Sequence, residues 1–261
     1  MTESSTRVAH ARPRFLYLVE RNFLVWRKLM LPSLLGNLAD PLIYLVGLGL
    51  GLGALVGTVD GRPYVTFLAS GMLCQSTMSS ASFEALYSAF SRLKVQRTWE
   101  GILHAPMTIA DVVTGEWAWA GLKALLSGTG ILVVMYAFGL AHGARPLAAL
   151  PVLLLVGLAF AGVSLVITAF ARSYDFFTYY FTLVMTPMGF LSGVFFPLER
   201  LPPAIRAIAW ALPLAHGTSL ARGLTLGDPM PWPWLSVAVL AAYGIVGVVL
   251  AAWFARRRLM K

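Results

Sequence analysis

The residues of this chain that could do chemistry are few, and their spacing does not make a catalytic set. Four ionisable side chains stand inside long apolar runs: Asp40, Glu84, Glu116 and Lys123. Charges are costly in lipid and usually turn toward a bundle interior or a partner. Glu116 and Lys123 are seven residues apart and so share one helical face. One use is a structural pairing of Lys123 with Asp40 or Glu84; the other is a proton relay. All four charges lie toward one end of their runs, a poor arrangement for a relay across a membrane, so pairing is the stronger reading. The single cysteine, Cys74, excludes an intramolecular disulfide, and His10, His104, His142 and His216 have no zinc-like spacing. No metal site is therefore expected. Gly47, Gly49, Gly51, Gly53 and Gly57 follow no strand, so they are not a dinucleotide loop. Gly47/Gly51 or Gly53/Gly57 reads instead as a seam for close helix packing. The phosphate-loop pattern GxxxxGK[ST] is absent, and Gly115 to Lys123 has the wrong spacing within an apolar helix. No active site is expected here, and if transport is the function its energy must come from elsewhere.

These residues need elements to hold them, and composition says which. The 261 residues are 58% hydrophobic and 12% charged, where soluble domains carry about 25% charged residues. The apolar residues fall in long runs, as transmembrane helices require. Six spans are expected, at about 33–56, 64–89, 112–140, 147–170, 176–197 and 232–254. The chain is thus an all-α integral membrane protein, a single domain over 1–261 with no separate soluble part. Residues 1–31 form a tail and an amphipathic helix. Phe15, Val19, Phe23, Trp26 and Met30 share one face of it, while Arg14, Arg21 and Lys28 share another. Such a helix lies in the membrane interface. With both termini inside, 14 of the 20 Lys and Arg residues lie in cytoplasmic segments and five outside. The positive-inside rule selects that orientation. The net charge of +9 is explained by these anchors rather than by nucleic acid.

Two connections are more than links. Residues 90–111 start basic and place an exposed Trp99 beside Glu100, with Leu93, Arg97, Glu100 and His104 on one helical stripe. This suits a cytoplasmic docking helix or, more simply, an interfacial loop anchored by its tryptophan. Residues 198–231 hold two short helices broken by Pro202-Pro203 and Pro213, each too short to span. Half-inserted helices need protein cover or a cavity beside them, so this pair reads as a re-entrant cap on a pathway. Span five is rich in rings, among them Tyr179, Tyr180 and Phe190. They could line a path for an amphiphilic glycolipid, or form an interface belt with ordinary packing.

Taken together, the residues resemble the type-2 ABC exporter permeases across nearly the whole chain, and within them the NodJ subfamily. The matching stretches are Asp40-Pro41-Leu42-Ile43-Tyr44-Leu45, Gln96-Arg97-Thr98-Trp99-Glu100, Gly115-Glu116-Trp117-Ala118-Trp119-Ala120, Ser173-Tyr174-Asp175, Leu191-Ser192-Gly193-Val194-Phe195-Phe196-Pro197 and Leu212-Pro213-Leu214-Ala215-His216. The chain departs from the family at Gly217-Thr218-Ser219, where an acid often follows, and at Glu199-Arg200, where the family often has Asp-Gln. The resemblance implies a homodimer in a bacterial inner membrane, bound to two copies of a NodI-like ATPase that supplies ATP and Mg. It implies that Arg97, Thr98, Trp99 and Glu100 belong to the coupling helix that meets the ATPase. It makes Phe195, Phe196, Pro197, Pro213 and His216 parts of an outer gate. The implied cargo is a lipooligosaccharide or lipo-chitooligosaccharide moved outward. Export of a drug, polyketide or other lipid is the alternative within the class. An ion-coupled secondary transporter would show an inverted repeat and midplane charges, and an intramembrane enzyme would show polar residues clustered at one depth. Neither pattern is visible.

Overall fold

The computed structural model describes residues 13–259, apart from the side chain of Asp40. The expected tail at 1–12, with Arg7 and Arg12, and Lys261 lie outside the described residues, as does any pairing of Asp40. The chain is helical almost throughout. Helix α1 (Arg14–Arg27) is followed, after a break at Lys28-Leu29, by α2 (Met30–Tyr44). α2 runs on through π-helical turns (Leu45–Leu52) into α3 (Gly53–Val56). A two-residue hairpin, β1 (Thr58–Val59) and β2 (Arg62–Pro63), turns the chain into α4 (Tyr64–Phe83). Two π-helical turns, Glu84–Ser88 and Ser91–Val95, lead to the short α5 (Thr98–Leu103). Then come α6 (Ile109–Ala137) and α7 (Leu150–Phe170), which is entered through a 3-10 turn at Arg145–Ala149. α8 (Asp175–Tyr180) and α9 (Thr186–Leu191) are joined by a π-helical turn. α10 (Pro203–Ala211), α11 (Pro213–Leu226) and α12 (Pro233–Leu259) complete the chain.

Four segments are long and apolar enough to cross a membrane by length and composition: 30–56, 109–137, 145–170 and 233–259. The core forms where α4, α6, α7 and α12 meet. Small residues set the closest approach. A Cβ on Gly162 of α7 would lie 2.7 Å from the carbonyl oxygen of Gly244 on α12, so the two backbones pack without side chains between them. Arg258, near the end of α12, donates to the carbonyls of Thr168, Ala169 and Ala171 and so caps α7. α6 begins with a reciprocal cap. Asp111 N–H donates to Thr108 Oγ1 at 3.1 Å, and Thr108 N–H donates to Asp111 Oδ2 at 2.9 Å. The Thr108 hydroxyl and N–H hold the Asp111 carboxyl below the usual carboxylate range.

Several details depart from the sequence reading. The glycine seam expected in span one brings no two backbones together within the chain: a Cβ on Gly47, Gly51 or Gly57 meets nothing within 4 Å, and one on Gly53 meets the Tyr64 side chain at 3.8 Å. Close glycine contacts form instead between α7 and α12 and between α7 and α6, where a Cβ on Gly157 would lie 3.0 Å from the Gly121 carbonyl oxygen. The buried stripe of α1 is Leu18, Asn22 and Trp26, with Phe23 and Met30 exposed. It is set by contact with α6, where Leu18 packs on Gly115. Residues 90–111 are not one helix. Arg97 takes a left-handed conformation (φ 50°), which breaks the expected stripe from Leu93 to His104.

Candidate functional site

Three of the ionisable residues expected inside the spans, Glu84, Glu116 and Lys123, converge at one end of the bundle, around a residue the sequence reading left in a loop. Arg92, on the second π-helical turn after α4, points back into the bundle. Its Nε donates to Glu116 Oε1 at 2.8 Å, and its Nη2 donates to Glu84 Oε1 at 2.8 Å and to Glu116 Oε2 at 2.6 Å. Lys123 Nζ donates to Glu84 Oε2 at 2.7 Å. Glu84 is 3% exposed and Glu116 1%, so two carboxylates and two cations neutralise each other out of water. Indole N–H groups fill the remaining acceptor positions: Trp119 donates to Glu84 at 3.0 Å and Trp99 to Glu116 at 3.2 Å. From α1, Asn22 Nδ2 donates to Glu116 Oε2 at 3.2 Å. Buried charges persist only when paired and hydrogen-bonded in this way.

The reason for the convergence is local. Glu116 and Lys123 lie seven apart on α6, so both face α4. Glu84 opens the first π-helical turn, and Arg92 follows it by eight residues, on the same side. That interval was the signal in the sequence that could have found Arg92.

The segment proposed to dock a partner hangs from this cluster. Arg97 and Glu100 are exposed and Thr98 is half-buried. Trp99 corrects the sequence reading: it is 2% exposed, not a surface anchor, because its N–H reaches the buried Glu116. α5 therefore presents charge outward and is tied inward through its indole.

A cavity of about 430 Å³ opens between α2, α4 and the turn joining α8 to α9. Its polar wall includes Asn37, Gln75, Ser76, Ser80 and Ser127, and its other wall includes Tyr44, Phe83 and Phe181. Ser76 and Ser127 bond each other at 2.8 Å, while Gln75 Oε1 has no partner among the described residues. The sequence reading missed this cavity, although Ser76, Ser79 and Ser80 form a polar stripe in span two. The rings named instead do not share one surface. Tyr179 and Phe190 are exposed, whereas Tyr180 is buried in the bundle.

At the opposite end, Phe195 stacks on Phe190, with centroids 4.9 Å apart, and its carbonyl accepts from Tyr64 Oη at 3.1 Å. Phe196 is half-buried and Pro197 buried beside it. Pro213 opens α11, where its missing N–H is no loss. His216 is buried between the Trp210 carbonyl (2.8 Å) and Ser236 Oγ (2.9 Å), and so ties α11 to both α10 and α12.

The profile of the family described as ABC-2 type transporter matches residues 13–226. The chain is 50% identical over 240 residues to nodulation protein J of Rhizobium meliloti (strain 1021), covering 92% of each chain. It is 51% identical over 241 residues to nodulation protein J of Rhizobium leguminosarum bv. viciae, covering 92% of this chain and 93% of the other. Similarity extends, at 23% identity over 236 residues, to the inner membrane transport permease YadH of Escherichia coli (strain K12), covering 90% of this chain and 88% of that protein.

Proposed function

This chain belongs to the ABC-2 type transporter family, and from that membership we propose that it is the permease of an ATP-driven exporter for an amphiphilic glycolipid of the lipooligosaccharide or lipo-chitooligosaccharide type. The observation that carries the cargo is the 50% identity, over 92% of both chains, to a nodulation protein J. Six spans then correspond to 30–56, 64–88, 112–137, 145–170, 175–191 and 233–259, with the capped first turn of α6 outside the lipid. α1 lies in the interface, and α10 with α11 forms the re-entrant pair. Both termini face the cytoplasm of a bacterial cell, so the ion cluster sits at the inner end of the bundle. All of 1–261 is one permease domain.

The permease works as a homodimer with two copies of a NodI-like ATPase, which binds ATP and Mg; the permease contributes no catalytic group. Support for a second copy comes from the 30–56 segment, of which only 18% of the best apolar window is buried. Gly47 and Gly51 on it remain open to a close neighbour.

Arg97, Thr98 and Glu100 face the ATPase, and Trp99 transmits. When the closing ATPase pair displaces α5, the indole pulls on Glu116, and with it on Arg92, Glu84 and Lys123. A push on six residues thereby reaches α1, α4 and α6 together. The serine-lined cavity offers hydroxyls to a sugar and rings to an acyl chain. Phe195, Phe196, Pro197, Pro213 and His216 close the outer side.

The test is ATP hydrolysis by the co-purified permease–ATPase complex in lipid, with and without lipooligosaccharide, for wild type and for Trp99→Ala/Glu100→Ala. Hydrolysis should depend on the permease, rise with the glycolipid and fall in the double variant. A complex that forms but ignores the glycolipid would refute the cargo and leave the permease. If no ATPase binds, the coupling reading fails.

A further inference from the structure

A second cavity, of about 680 Å³, lies at the end of the bundle far from the ion cluster. That size is usual for a small-ligand site, at roughly 300–1,000 Å³. It is bordered by the hairpin turn at Asp60, the Ser192–Arg200 connection, α11 and the loop at 228–231. Arg222 reaches into it from α11 and is held in a fixed plane. Its Nε donates to Ser70 Oγ at 3.0 Å, its Nη2 donates to the Gly193 carbonyl at 2.9 Å, and the guanidinium lies 3.8 Å from the centre of the Phe67 ring. Its Nη1, with two N–H donors, has no hydrogen-bond acceptor among the described residues. No carboxylate of the described residues lies within 4.0 Å of it, as an ion pair would require.

Ser192 adds a second donor and acceptor. It is wholly buried on the cavity wall, and its hydroxyl has no partner among the described residues. Such a group costs free energy unless a ligand or water satisfies it. Half-buried Trp210 presents a ring on the same wall, and Glu199 stands exposed at the rim.

The charges decide the ligand class. Asp228 is neutralised by Arg62 at 3.0 Å. Asp60 and Glu199 then balance Arg200 and Arg222. A trap for phosphate or carboxylate would carry surplus positive charge, and this cavity carries none. Its carboxylates accept, its guanidinium donates, its free hydroxyl does both, and its indole offers a flat apolar surface. A polyhydroxylated ring with one apolar face satisfies all four. We propose that this cavity binds the carbohydrate head of the cargo at the outer end of the path, before release. This inference rests on the glycolipid reading above and adds a site to it.

The experiment uses the permease–ATPase complex in nanodiscs and the tetramer of N-acetylglucosamine as probe, with binding followed by saturation-transfer NMR. Wild type should bind the tetramer. Arg222→Gln should weaken it about tenfold, the effect of losing one charged donor. Arg222 also joins α11 to α4 and to the Gly193 turn, so its loss could disturb folding. Trp210→Leu and Glu199→Gln break no side-chain hydrogen bond seen among the described residues, and each should weaken the tetramer severalfold in a complex that still assembles. Equal binding by wild type and all three variants would overturn the inference. So would displacement of the tetramer by millimolar inorganic phosphate, which would mark an anion site. If the tetramer fails to bind while intact lipooligosaccharide still stimulates hydrolysis, the outer site is wrong and the exporter reading survives. If neither the tetramer nor the lipooligosaccharide acts, both fall.

Discussion

Glu116 accepts hydrogen bonds from three elements at once: Asn22 of α1, Arg92 of the turn after α4, and Trp99 of α5. At the residue scale this makes the ion cluster a joint, and its members are unequal. Among the described residues Arg92 is the one cation in an ion pair with Glu116, while Glu84 has both Arg92 and Lys123. Arg92→Met should therefore leave Glu116 buried and uncompensated, at a cost of about 3–5 kcal/mol. Thermal unfolding of the purified permease would read this as a large loss. Lys123→Met should cost less, because Glu84 keeps Arg92 and the Trp119 indole. Adding Glu116→Gln to Arg92→Met should recover part of the loss, and strict additivity of the two would argue against a direct pair. Trp99→Phe keeps a ring but removes the N–H. It should cost about 1.5 kcal/mol and lower permease-dependent ATP hydrolysis while the ATPase still binds.

Two elements carry the stability of the frame, through different physics. The N-terminus of α6 depends on the Thr108–Asp111 exchange. Thr108→Ala should lower stability by about 1 kcal/mol, a modest fall in the unfolding midpoint. The Asp111 carboxyl is held below its ordinary value, so its contribution is fully present above the unfolded value of about 3.9. It is lost as pH falls through the folded value. Stability from this cap should stay flat between about pH 5 and 8 and decline only below about pH 4. The α7–α12 contact depends instead on the absence of side chains. Gly162→Leu would drive a side chain into the Gly244 carbonyl and should prevent α12 from docking. Proteolysis near Arg258, which caps α7 only while α12 is docked, should then accelerate.

At the scale of the molecule, orientation and assembly each have a direct readout. With both ends cytoplasmic, Gly143→Cys in a Cys74→Ser background should react with a membrane-impermeant maleimide added outside intact cells. Labelling only after the cells are opened would reverse the orientation. A Cβ on Gly51 would meet nothing within 4 Å in a single chain. Gly51→Cys in the same background should therefore cross-link two permeases across a close seam. Persistent monomer under oxidising conditions would count against a homodimer built on that face.

Long apolar runs with few charges were enough to define a helical membrane protein, because lipid admits only helices and closed barrels and runs of this length without alternation suit helices. The positions of the long helices were also legible, since length and apolarity are properties of contiguous sequence. So was the shared face of Glu116 and Lys123, which follows from helical periodicity alone. Tertiary structure decided what those faces meet. Arg92 reads as a loop cation until two π-helical turns carry it back to Glu84 and Glu116. Trp99 reads as a surface anchor until its indole finds a buried carboxylate. The glycines of span one read as a seam, yet close backbone approaches form within the chain between α7 and α12 and between α7 and α6. These outcomes depend on residues of different elements, whose approach is fixed by packing among helices more than by any local pattern.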